Sequence, residues 1–155
     1  MISPEQLRRF SYFAQCSDPQ LRDLAVIADN ETLAKGETLF EECQTADKLY
    51  ILVSGSLDLY FRSQEQFHPK SSKEFSVGEI NPGEMFGVSA LIEPYNYNAT
   101  ARAAQDCELI AFHAPALREM FEKDKALGLL FISQVARVVM ERLAYTRIQL
   151  AAATA

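Results

Sequence analysis

The apolar positions of this chain change their period twice, and the two changes divide it into three parts. At the start the spacing is helical. Ser3-Pro4-Glu5 is a helix start, with Ser as N-cap, Pro at the first helical position and an acid in the first turn. Leu7, Phe10, Phe13 and Ala14 recur at helical spacing, which predicts a helix over Met1 to Ala14. Ser17-Asp18-Pro19 opens a second helix through about Ala28, with Leu21, Leu24, Ala25 and Ala28 on one face. From Glu31 the period is that of short strands. Thr32-Leu33, Lys35-Gly36-Glu37 and Thr38-Leu39-Phe40 read as strand, turn, strand. Leu49 to Val53 is continuously apolar, the pattern of a strand covered on both faces. After the Ser54-Gly55-Ser56 turn, Leu57, Leu59 and Phe61 alternate with Asp58, Tyr60 and Arg62 as in a half-buried strand. Ser63 to Lys73 reads as a polar hairpin tip, and Phe75, Val77 and Ile80 resume the sheet. Ala99 to Ala103 and Cys107 to Phe112 form the last two strands. Short strands divided by turn residues predict a sandwich or barrel.

After Phe112 the helical period returns, with a short helix over Ala114 to Glu122 and a long one from Lys125 to about Leu150. On a wheel of 3.6 residues per turn, Leu127, Leu130, Phe131, Val138, Tyr145 and Ile148 form one stripe of the long helix. Ile132, Val135, Val139 and Leu143 form a second beside it, and the two together span roughly 200°, wider than one packed face requires. One stripe is expected to cover the barrel and the other to meet a second copy. A homodimer is therefore predicted through Leu127, Phe131, Val135, Val138, Arg142 and Tyr145. Arg142 falls inside the arc, where it can pair with Glu141 of a second chain, reach a ligand, or snorkel from the rim. No internal repeat or second domain interrupts the pattern. The chain reads as one domain, with helices over 1–30, a β unit over 31–112 and helices over 113–155.

Composition agrees with this and narrows the partners. The 155 residues are 48% hydrophobic and 23% charged, ordinary for a globular domain, and carry a net charge of −6. That charge argues against nucleic acid or an anionic membrane as partner. No apolar run is long enough to span a bilayer, and no signal sequence opens the chain, so a cytoplasmic location is expected. Cys16, Cys43 and Cys107 are odd in number and widely spaced, giving neither a disulfide framework nor a zinc pattern. His68 and His113 stand alone, no nucleophile motif is present, and no catalytic residue or metal is expected.

The segment from Gly83 to Phe112 carries the candidate site. Gly87, Val88, Ser89, Ala90 and Leu91 form a tight stretch that leaves backbone N–H groups unobstructed, as an anion cradle requires. A polar, aromatic loop over Glu93 to Asn98 follows, with Tyr95, Asn96, Tyr97 and Asn98, and Ala99 opens the next strand beside it. With Gly36-Glu37-x-Leu39-Phe40, Ala46-Asp47-x-Leu49-Tyr50-Ile51-Leu52-x-Ser54-Gly55, Pro82-Gly83-Glu84-x-Phe86-Gly87 and Thr100-x-Arg102-Ala103-x-x-x-Cys107-Glu108-Leu109 in order, the chain resembles the cyclic-nucleotide-binding domains, the family of the bacterial catabolite activator. The resemblance covers roughly Pro19 to Leu143. It implies an antiparallel jelly roll of about eight strands between flanking helices, and a non-enzymatic regulatory role.

The departures from that family pattern bear on function. Val88 stands where the resemblance implies a Glu for the ribose 2′-hydroxyl, and Tyr97 where it implies an Arg for the cyclic phosphate. Arg102 lies five residues from Tyr97, an odd offset that puts it on the opposite strand face. Cys43 replaces a turn Gly. The expectation is a domain in which cyclic nucleotide binding is weak or lost, with no cofactor, acting as a dimerising adaptor for a protein partner or sensing another small ligand. The alternatives are cyclic AMP or cyclic GMP binding through other contacts, and a cupin-like jelly-roll enzyme. The family's transcription factors carry a helix-turn-helix after the long helix; five residues follow Leu150, so direct DNA binding is not expected.

Overall fold

The computed structural model describes residues 2–63 and 73–155. The polar tip expected between Ser63 and Lys73, with His68, lies outside the described residues apart from its two ends. Both opening helices begin as their caps dictate. Ser3 and Ser17 each accept a hydrogen bond from the backbone N–H three residues on, and Gln6 and Gln20 reciprocate, completing two capping boxes. The helices are shorter than expected. α1 covers Pro4–Arg8, a 3-10 turn follows at Ser11–Phe13, and α2 covers Asp18–Val26. Ala28 is the first residue of β1 (Ala28–Leu33), so the strands begin three residues before Glu31.

The strands then run β2 (Thr38–Phe40), β3 (Lys48–Ser54), β4 (Leu57–Ser63), β5 (Lys73–Ile80), β6 (Met85–Phe86), β7 (Thr100–Ala103) and β8 (Cys107–His113). They form two four-stranded antiparallel sheets, in the orders β1-β8-β3-β6 and β2-β7-β4-β5. This is a jelly roll, as the sequence predicts. The expected strand-turn-strand over Thr32 to Phe40 is a crossing between sheets, not a hairpin: β1 pairs with β8, and β2 pairs with β7. Closure of the roll requires each early strand to meet a late one.

Leu49, Tyr50, Ile51 and Leu52 of β3 are all buried, because helices cover the sheet that holds them. Phe13 sits between Phe112 of β8 and Phe131 of the last helix, with ring centroids 5.9 Å apart in each pair. Burying a ring of this size contributes roughly 1.5–3 kcal/mol. α3 (Ala114–Lys123) is N-capped by His113, whose Nδ1 accepts from the Ala116 N–H at 3.3 Å. α4 (Lys125–Thr154) is capped by Asp124, which accepts from Leu127 N–H at 3.0 Å and from Gln20 at 2.9 Å. Gly128 lets the two helices approach closely, since a Cβ there would stand 3.0 Å from Phe121 Cβ.

The face of α4 that packs on the roll takes members of both stripes. Leu127, Phe131, Val135 and Val138 are all buried within the chain. Their burial comes from within the chain itself, with Phe131 held between Phe13 and Phe121. Leu129, Ile132, Val139, Leu143 and Leu150 remain exposed.

Candidate ligand pocket

The site is built by the return of the chain from β6 into β7. Gly87 follows β6 with φ at 71°, and a short 3-10 helix, Val88–Leu91, follows it. Two demands meet at Gly87. Its backbone is left-handed, and a Cβ would lie 3.2 Å from the Tyr50 ring, 3.3 Å from the Lys48 carbonyl and 3.4 Å from the Tyr97 ring. Ala90 N–H is engaged by Gly87 O at 3.1 Å, and Ala90 and Leu91 are buried. Arg118 of α3 fixes this turn from behind. It donates to Ala90 O at 2.5 Å and lies 4.0 Å from the centre of the Tyr95 ring.

The loop that follows is not free surface. It is zipped to the turn after β2. Cys43 N–H donates to Tyr97 O at 2.8 Å, Ala46 N–H to Tyr95 O at 2.7 Å, and Tyr97 N–H to Gln44 O at 2.9 Å. Cys43 itself has φ at 72°, the left-handed geometry for which the resemblance implies a Gly.

Tyr97 is buried, and its ring stacks on Phe40 with centroids 3.7 Å apart and planes 10° from parallel. Its hydroxyl donates to Lys48 O at 2.6 Å and accepts from Lys48 N–H at 3.3 Å. Burial pushes this phenol up to about 12, and burial also raises Tyr50 beside it. Tyr50 and Phe86 complete the aromatic wall, with centroids 5.3 Å apart. Sequence reasoning missed Phe40, Tyr50 and Phe86 as parts of the site, because nothing local connects them to Tyr97.

In front of this wall, between the roll and α4, lies a cavity of about 220 Å³. The turn contributes Gly87, Val88 and Ser89; the loop contributes Tyr97, Asn98 and Ala99; α4 contributes Val138, Val139, Arg142 and Thr146. The structure thus brings together most of the site residues expected from sequence, leaving Ala90 and Leu91 behind the turn. Arg142 is the charged side chain among those lining the cavity. It donates to Glu79 O at 3.3 Å and stands 4.0 Å from the Glu84 carboxylate. Burial pushes its pKa down, partly offset by Glu84.

Arg102 lies elsewhere. It holds Glu74 through two hydrogen bonds, at 2.9 and 3.4 Å, and covers the Tyr60 ring at 4.8 Å. It borders a separate groove with Glu41, Cys43 and Arg62. Among the described residues no three His, Cys, Asp or Glu side chains are placed to hold a metal ion, and no helix is long and apolar enough to cross a membrane.

Comparison with known proteins gives the same picture. The sequence model described as the cyclic nucleotide-binding domain matches residues 30–124. A crystal structure of a putative cyclic nucleotide-binding protein from Geobacter metallireducens GS-15 is 37% identical, with a TM-score of 0.80 over 92% of this chain and 99% of that one. A CRP-like cAMP-activated global transcriptional regulator of Mycobacterium tuberculosis is 25% identical over 117 residues, which are 76% of this chain and 48% of the relative. The chain therefore spans about half the length of the curated relatives it matches. The sensor domain of the transcriptional regulator DNR from Pseudomonas aeruginosa, at 23% identity over 90% of each chain and a TM-score of 0.71, shares the fold.

Proposed function

We propose that this chain, which belongs to the cyclic nucleotide-binding domain family, is a non-enzymatic sensor or adaptor domain that has given up cyclic AMP and cyclic GMP in the family's manner and works as a homodimer. The observation that carries this reading is the place of Tyr97. Its ring fills the wall where the resemblance implies an Arg for the phosphate, and its hydroxyl is turned away into the backbone of β3. Val88 lines the same cavity and offers no acceptor for a ribose hydroxyl. Hydrogen bonds to charged groups are worth about 1.5–3 kcal/mol each. Losing both anchors costs roughly 3–6 kcal/mol, or about two to four decades of affinity. Calorimetry with both nucleotides is the test, with weak or absent heat expected; sub-micromolar affinity for either would sink the reading.

A second reading keeps the nucleotide through other contacts. It is favoured by one observation, that Arg142 is the charged residue in the lining of the cavity, where a phosphate could meet it. Loss of nucleotide heat in Arg142→Gln would identify it.

The dimer reading rests on α4. Leu129, Ile132, Ala136, Val139, Leu143, Thr146 and Leu150 are spaced alternately by three and four residues and all are exposed, Val139 and Thr146 while also lining the cavity. That spacing suits a coiled-coil seam, and a two-fold, parallel pairing of α4 with its copy would use it. The apolar face is too long to be left to water in a lone protomer.

A further inference from the structure

We propose that the cavity between the roll and α4 takes a small, mainly apolar monocarboxylate, whose charge is received by Arg142 on the helix side and not by the turn at Gly87. The inference rests on the reading that cyclic nucleotides have been given up. The wall of the cavity is apolar or aromatic over Phe40, Leu59, Val77, Phe86, Val88 and Tyr97, which suits a hydrocarbon or aromatic body. Ser89, Asn98 and Thr146 add uncharged polar groups, and Arg142 is the charged one. A guanidinium has five N–H donors in a fork that matches a carboxylate. Arg142 spends them on a backbone carbonyl at 3.3 Å and on Glu84 at 4.0 Å, a separation too long for a hydrogen bond. It can therefore accept a carboxylate without breaking a close ion pair. Its half-buried position disfavours its charge, and an incoming anion would offset that. Glu79, Glu84 and Glu141 line the adjoining pocket with Arg142, so a dianion would meet repulsion where a monoanion meets balance.

The test uses the full chain with phenylacetate, 1-naphthoate and octanoate, each beside its primary amide, read by calorimetry and thermal shift. At least one acid should bind saturably, with its amide at least about tenfold weaker, the loss of one charge-assisted contact. Arg142→Gln should bring the acid down to about the level of the amide, and Arg142→Lys should retain part of the preference. Val88→Phe, which fills the cavity and leaves Arg142 in place, should abolish both and serves if Arg142→Gln does not fold. Equal binding of acid and amide, an acid preference that survives Arg142→Gln, acid binding unchanged in Val88→Phe, or no binding by any of the six compounds would each overturn the proposal. Tight cyclic nucleotide binding would instead sink the reading on which it rests, so the two failures are distinguishable.

Discussion

Tyr97 shows how much one position can decide. Its hydroxyl closes the backbone N–H and C=O of Lys48, residues 49 positions away in the chain, so Tyr97→Phe leaves two polar groups with a lost partner. That change is expected to cost about 1–2 kcal/mol in urea unfolding; an unchanged midpoint would show that the hydroxyl contributes nothing. Cys43 offers the opposite sign. A non-glycine residue in the left-handed region carries roughly 1–2 kcal/mol of strain, part of which glycine gives back as unfolded-state entropy. With φ at 72° there, Cys43→Gly is expected to raise stability by about 0.5–1 kcal/mol. The substitution at Tyr97 was legible in the sequence through the resemblance. Its consequence was not, because the ring's partner, Phe40, and the hydroxyl's partner, Lys48, are distant in sequence and meet it only once the roll has closed. Arg102 does lie away from Tyr97, but strand alternation is not the reason, since Tyr97 sits in the loop before β7 and Arg102 is held by Glu74.

At the scale of elements, the period changes near residue 30 and after Phe112 located the strands and helices well. Pairing was less accessible, because in a jelly roll β1 finds β8 and β2 finds β7, and local pattern favours hairpins. The wheel of α4 disclosed an apolar arc too wide for one contact but not which half the roll would take, since that depends on where the sheets lie. The structure divides it, and the division yields a paired prediction. Light scattering of the parent should give about twice the chain mass, and Leu143→Glu, on the exposed face of α4, should give a folded monomer. Val138→Glu, at 6% exposure, should unfold the chain by burying an unpaired charge. A parent that is monomeric at micromolar concentration, or a dimer that survives Leu143→Glu, would refute assembly through this face.

For the molecule as a whole, the buried phenols set an upper limit of pH. Tyr97 titrates near 12 when folded and near 10 when unfolded, because burial penalises the phenolate. A raised folded pKa means that this contribution is complete below about pH 10 and is lost as pH rises toward 12. In the difference between the parent and Tyr97→Phe, phenolate absorbance should therefore rise together with loss of the folded signal, not ahead of it. The same placement bears on redesign. Tyr97→Arg would remove at once the ring stacked on Phe40, the bridge to Lys48 and the contact beside Gly87. Position 97 therefore works as a latch: a phosphate anchor installed there by one substitution would open the packing that shapes the cavity it was meant to serve.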